Sequence, residues 1–148
     1  MPANKKRETP KEFCFDSDSD THFIQLYKGM HDSLAWRWLD GPAKLIYISM
    51  RYKYGPGTQF KLRFRMSYSE MTIEAGARRG SIRKYIEELI VAGFIAVEVW
   101  GARSVNEYSF SDKWKNVQNK QNVKRLDAAM DRFKTKQAGA RANREAAT

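Results

Sequence analysis

Four basic side chains and one serine lie within seven residues near the middle of the chain, in the segment GARRGSIRKY (76–85). They are Arg78, Arg79, Ser81, Arg83 and Lys84. The planar guanidinium of arginine donates in pairs to phosphate oxygens or to the O6 and N7 atoms of guanine, and serine and lysine also bind phosphate. The segment could therefore bind a polyanion, although a run of charges is often only the solvated face of a helix.

The residues that follow predict a helix that carries this cluster. Its buried stripe consists of Ile82, Ile86 and Leu89, which recur at intervals of four and three residues. Acidic residues follow the basic ones at a favourable four-residue spacing, in the pairs Arg83–Glu87 and Lys84–Glu88. The uncompensated positive charge therefore belongs to the first turns of a helix that ends at Gly93.

The composition of the chain agrees with a polyanionic partner. The 148 residues include 27 Lys and Arg against 17 Asp and Glu, a net charge of +10. A charge of this sign favours nucleic acid or an anionic membrane surface. The single cysteine, Cys14, excludes an internal disulfide, and the sequence has no apolar run long enough for a membrane span or a signal peptide. We therefore expect a cytoplasmic, nucleoid-associated protein without a membrane partner.

Residues for catalysis are not apparent in the sequence. His22 and His31 do not stand at a metal-ligand spacing from Cys14, and no nucleophile motif, paired catalytic carboxylates or phosphate-binding glycine loop is present. We expect no enzymatic activity, no metal site and no cofactor.

The elements before the cluster are predicted from local signals. Residues 1–21 are polar and charged, which is typical of a flexible arm. Asp32 or Ser33 could cap a short helix, and a second helix begins near Pro42 and ends at Gly55. In the segment QFKLRFRM (59–66) apolar residues alternate with Lys61, Arg63 and Arg65, which predicts a half-buried strand.

The elements on either side of the cluster complete a recurring order. Ser67 and Glu70 have the spacing of a capping box, and they open a short helix that ends at Gly76. Residues 94–110 alternate, pause at GARS and alternate again, as two strands joined by a loop that carries Arg103.

This order, and the residues themselves, resemble a winged helix-turn-helix. The segment GARRGSIRKYIEELIVAGFI is similar to the turn and recognition helix of GntR and MarR regulators, through Gly76, Ala77, Ile82, Arg83, Lys84, Glu88, Leu89, Gly93 and Ile95. Residues 23–110 also resemble winged-helix proteins of phages, plasmids and other mobile elements. Arg78 and Gly80 depart from the pattern, which has Ser or Asn at the first position and Ser or Thr at the second. The expected fold is α+β, mainly α, with a three-stranded antiparallel wing sheet.

The resemblance implies how double-stranded DNA would be contacted. The recognition helix enters the major groove by its N-terminal end, where Arg79, Ser81 and Arg83 would read base edges. Contacts to the backbone would come from Arg78, Gly80, Lys84, Arg103, Lys61, Arg63 and Arg65. For the last three residues, a strand face that is charged only for solubility is an equal alternative.

The C-terminal segment has a different character. Residues 113–148 carry ten Lys and Arg against three Asp and Glu, which accounts for +7 of the net charge. Val123, Leu126, Met130 and Phe133 keep helical spacing. We expect a helix over 120–137 that docks on the domain, binds another protein or forms a homodimer, and that grades into a disordered end over 136–148. The chain then divides into an arm (1–21), a winged helix-turn-helix domain (22–115) and a basic tail (116–148).

Three functions agree with this interpretation. The first is a sequence-specific transcriptional regulator, the second a replication or maintenance factor of a mobile element, and the third a winged-helix adaptor that binds protein.

Overall fold

The computed structural model describes residues 24–55, 63–100 and 105–147. The predicted arm, His22, Lys61 and Arg103 lie outside these residues. The helices are α1 (Lys28–His31), α2 (Leu34–Trp38), α3 (Gly41–Tyr54), α4 (Tyr68–Ala75), α5 (Arg79–Ala92) and α6 (Lys120–Ala146). The strands are β1 (Phe64–Arg65), β2 (Ile95–Val99) and β3 (Glu107–Phe110), and a 3₁₀ turn covers Lys113–Asn116.

The local signals for the helix ends are confirmed. Ser33 caps α2 and Ser67 caps α4, each through a hydroxyl that accepts a backbone N–H three residues on at 3.1 Å. Gly76 and Gly93 end α4 and α5 with φ of +62° and +88°, where a side chain would be strained. At Gly93 a Cβ would also lie 2.6 Å from the backbone nitrogen of Trp114. These residues fix where the helices begin and end.

The three strands form one antiparallel sheet in the order β1–β3–β2. Phe64 pairs with Tyr108, and Ile95 pairs with Phe110 at the other side of β3. The register of β2 shifts at Glu98, which is an extra residue between two paired positions. The predicted strand over 59–66 is confirmed only at residues 64 and 65, since residues 59–62 lie outside the described part. The broad prediction of a mainly helical α+β protein with a small antiparallel sheet is confirmed.

One core joins these elements. Ile82, Ile86 and Leu89 are fully buried, as their spacing predicted. Trp36 of α2 and Tyr47 of α3 meet Phe94 edge to face at centroid distances of 5.6 and 5.3 Å. The core thereby fixes α5 against α2, α3 and the sheet.

Helix α6 begins by docking on its own domain. Leu126 and Met130 are buried, and the Trp38 Nε1–H group donates to Asp127 Oδ1 at 2.8 Å. The first half of the segment 116–148 therefore packs on the domain that precedes it. The expected disorder over 136–148 is wrong, because α6 continues to Ala146. Alanine, arginine and glutamate are good helix formers, which explains the extension.

Candidate nucleic-acid interface

Helices α4 and α5 are joined by the three-residue segment 76–78. The left-handed conformation of Gly76 ends α4, and α5 begins at Arg79. Because Ile82, Ile86 and Leu89 face the core, the residues between them in the first turns of α5 face away from it. The fold therefore brings the predicted contact residues of α5 to one end of one helix.

The start of α5 is exposed and basic. Arg78, Arg79 and Gly80 are exposed, and Ser81 is half-buried. In the described part of the chain neither Arg78 nor Arg79 forms an ion pair, and no acidic residue lies in the first turn of α5. Arginine is unfavourable at the positive end of a helix dipole by about 0.3–1 kcal/mol. The stability of the helix therefore does not explain the two arginines.

The first N–H groups of α5 also lack a side-chain cap, as do those of α1 and α3. Arg78 stands at the N-cap position without a side-chain hydrogen bond. In contrast, Ser67 caps α4 and Asn119 caps α6, each with a side-chain oxygen. A helix start without a cap leaves backbone N–H donors for water or for a ligand, and the dipole makes an anion the favoured ligand.

Arg83 and Lys84 differ from Arg79 because both are held by carboxylates. Arg83 Nε donates to Glu87 Oε1 at 3.2 Å, and Lys84 Nζ lies 3.7 Å from Glu88 Oε1. The two pairs expected from the four-residue spacing are thus confirmed. The basic side chains remain 58% and 51% exposed, whereas both glutamates are buried. Arg83 and Lys84 thus have a structural role as partners of buried carboxylates, in addition to any role in binding.

A cluster of three charged residues anchors α5 to the start of α3. Lys84 Nζ donates to Asp40 Oδ2 at 3.0 Å, and Glu88 Oε2 accepts the backbone N–H of Asp40 at 3.1 Å. Burial raises the pKa of Glu88 to about 6, against the opposing effect of the Asp40 N–H bond. The hydrogen bond from Lys84 lowers the pKa of Asp40. Sequence reasoning missed Asp40, since no local pattern connects residues 44 positions apart.

A buried polar group lies where β3 begins. Asn106 Nδ2 donates to the Tyr108 hydroxyl at 3.1 Å. Burial raises the pKa of Tyr108 to about 12. Burial also raises the pKa of Tyr68 in α4, and the positive charge of Arg83 and a hydrogen bond with Asn106 partly offset that second rise. The Asn106 side chain thus connects the start of β3 to Tyr68, the first residue of α4.

The basic residues at β1 are paired with acidic residues of β2 and β3. Arg63 lies 3.6 Å from Glu98, and Arg65 lies 3.5 Å from Glu107. Both arginines remain mostly exposed. Because each is offset by a carboxylate, this face offers less free positive charge than the start of α5.

The hairpin also presents apolar side chains that the sequence analysis did not single out. Val99, Trp100 and Val105 are about half exposed, at 50%, 52% and 40%. They flank the GARS loop, whose residues 101–104 lie outside the described part. Alternation alone could not identify them, because a shift of register at Glu98 changes the face on which the following residues lie.

Residues 24–55, 63–100 and 105–147 contain neither a candidate metal site nor a candidate membrane span. No group of three or more His, Cys, Asp or Glu side chains in this part could hold a metal ion. None of its helices is both long and apolar enough to span a membrane. Comparisons of the chain with protein-family models, with curated proteins and with solved structures gave no match.

Proposed function

We propose that this protein binds double-stranded DNA sequence-specifically as a winged helix-turn-helix and acts as a transcriptional regulator. The observation that carries the proposal is the exposed, uncapped and basic start of α5, which follows a tight turn from α4. The sheet order β1–β3–β2, with a β2–β3 hairpin in the position of a wing, supports the same interpretation.

The side chains of α5 divide into two groups under this proposal. Arg79 is the principal base-reading residue, because it is exposed and makes no ion pair with any described residue. Ser81 and Arg83 read neighbouring positions, with Arg83 oriented by Glu87. Arg78, Gly80 and Lys84 contact phosphates, and the backbone N–H groups of Arg79 and Gly80 add to those contacts. Arg103 and Lys61 remain predicted backbone contacts outside the described residues.

We also propose that the protein binds as a homodimer, since one winged helix reads only a few base pairs. The apolar stripe of α6, the interface suggested by the sequence, is already covered: Leu126 and Met130 are buried within the chain. A dimer therefore needs another surface. Sedimentation of the protein, free and on DNA, tests the proposal; a monomer in both states at tens of micromolar would remove it.

The proposed function is tested by selecting a preferred duplex from random sequences and comparing it with a scrambled duplex by fluorescence anisotropy. Arg79→Ala should cost about 1–3 kcal/mol on the preferred duplex and flatten the difference between the two. Arg37→Ala is the matched control, because Arg37 is an exposed arginine on α2, outside α4, α5 and the hairpin. An adaptor that binds protein should select no sequence and should show only salt-sensitive binding to both duplexes.

A further inference from the structure

Helix α6 is much longer than the part of it that docks. Its 27 residues correspond to about 40 Å. Leu126 and Met130 are buried, and Phe133 is the last side chain that is partly covered. Every side chain described from Lys134 to Ala146 is exposed. About 20 Å of helix therefore projects from the domain. We call residues 134–146 the arm of α6, or the arm for short; it is distinct from the flexible N-terminal arm predicted over 1–21.

The composition of the arm identifies the kind of partner that it fits. It carries Lys134, Lys136, Arg141 and Arg144 against Glu145, a net charge of +3. Its apolar residues are all alanine, so it has no seam of large side chains for a second helix and no face that would enter a membrane. A helix that is basic, exposed and without large apolar groups is complementary to the phosphate backbone of nucleic acid.

The arm belongs to a helix that contacts the proposed recognition helix. α6 packs directly on α5, and helices in contact have axes about 8–10 Å apart. The arm begins where the docked half of α6 ends. A reach of about 20 Å corresponds to about six base pairs at 3.4 Å each.

We infer that the arm is a second DNA-binding element, which holds phosphates of the duplex flanking the site that α5 reads. The inference rests on the proposed function and adds to it a sequence-independent contact. Such contacts strengthen binding to every sequence alike and make it more sensitive to salt, because each releases a condensed counterion.

The test compares two triple variants of the full chain. Lys136→Gln/Arg141→Gln/Arg144→Gln removes positive charge from the arm, and Lys120→Gln/Lys124→Gln/Arg125→Gln removes as much from exposed positions in the docked half. Glutamine is a good helix former, so α6 should persist, which circular dichroism checks. Binding is measured against salt on preferred and scrambled duplexes, each made as a short core and as a form extended by about six base pairs on both sides.

On the extended duplexes the arm variant should lose about fivefold in affinity for each lost contact near 0.15 M salt, with the salt slope smaller by about 0.9 per contact. The arm variant should lose the same factor of affinity on the preferred and the scrambled extended duplexes. Its affinity for the short duplexes should change little. Unchanged binding, an equal loss on short and extended duplexes, or an equal loss in the control variant would overturn the inference.

Two further outcomes separate the arm from the proposed function. If the arm variant turns a dimer into a monomer, the arm is a contact between copies of the chain and the inference fails. If the arm variant has no effect while Arg79→Ala flattens sequence preference, only the inference fails. If the wild-type protein binds the preferred and the scrambled duplex equally, the proposed function fails, and the inference that rests on it fails with it.

Discussion

Replacing Arg83 with alanine should weaken the fold as well as DNA binding, because Arg83 is a partner of a buried carboxylate. Glu87 is 3% exposed, and Arg83 Nε lies 3.2 Å from its Oε1 atom. Removing one partner of a fully buried ion pair costs about 3–5 kcal/mol. The Arg83 side chain is 58% exposed, so water already screens this pair. We therefore expect a loss of about 1–2 kcal/mol, as for a charged hydrogen bond that water partly screens.

Thermal unfolding measures this effect without DNA. A loss of 1–2 kcal/mol lowers the Tm by about 2–8 °C for a chain of this size. Arg79→Ala should not lower the Tm, since Arg79 is exposed, makes no ion pair with any described residue and stands at the unfavourable end of the helix dipole. The double variant Arg83→Ala/Glu87→Gln should recover most of the loss, because it removes the buried charge. An unchanged Tm for Arg83→Ala, or no recovery in the double variant, would refute the reasoning.

Three further predictions concern the same elements. Gly80→Ala should stabilise α5 by up to about 0.5–1 kcal/mol, because a Cβ there meets nothing within 4 Å, yet it should weaken DNA binding because the proposed backbone contact to phosphate is close. Gly41→Ala, at an equally open position at the start of α3, is the control and should leave DNA binding unchanged. Equal effects of the two variants on affinity would contradict the proposed phosphate contact at Gly80. The pKa of Glu88 is raised to about 6 in the folded state, so its contribution to the free energy of unfolding is full below pH 4.5 and is lost, by up to about 2 kcal/mol, as the pH rises through 6. Denaturant unfolding measured against pH should show this decline, and Glu88→Gln should remove it. Leu126→Ala should cost about 2–3 kcal/mol in denaturant unfolding if α6 docks as described, whereas a change below about 0.5 kcal/mol would mean that the docking contributes little.

The parts of the fold that depend on neighbouring residues could be predicted from the sequence. Ser33 and Ser67 mark helix starts because a hydroxyl reaches an N–H only three residues away. Gly76 and Gly93 mark helix ends because the left-handed conformation strains other residues. The i,i+4 pair of Arg83 and Glu87 follows from helical spacing alone.

Contacts between distant residues could not be predicted in this way. The ion pair between Lys84 and Asp40 joins residues 44 positions apart, and the hydrogen bond of Trp38 to Asp127 joins residues 89 apart. Whether Glu87 is buried also depends on what packs against α5, so the sequence could not reveal that Arg83 has a structural role. That Arg79 makes no ion pair with any described residue likewise depends on the fold around it, which no local pattern gives.

The central claim, that Arg79 of α5 reads a base edge in the major groove, is tested most directly by changing one atom of the DNA. Each guanine of the preferred duplex is replaced in turn by 7-deazaguanine, which lacks the N7 acceptor that a bidentate arginine uses. Affinities are then measured for the wild type and for Arg79→Ala. The account predicts that one replacement weakens wild-type binding and has no further effect on Arg79→Ala, a coupling of about 1–3 kcal/mol. If every replacement affects the two proteins equally, Arg79 does not read guanine in the major groove and the account is contradicted.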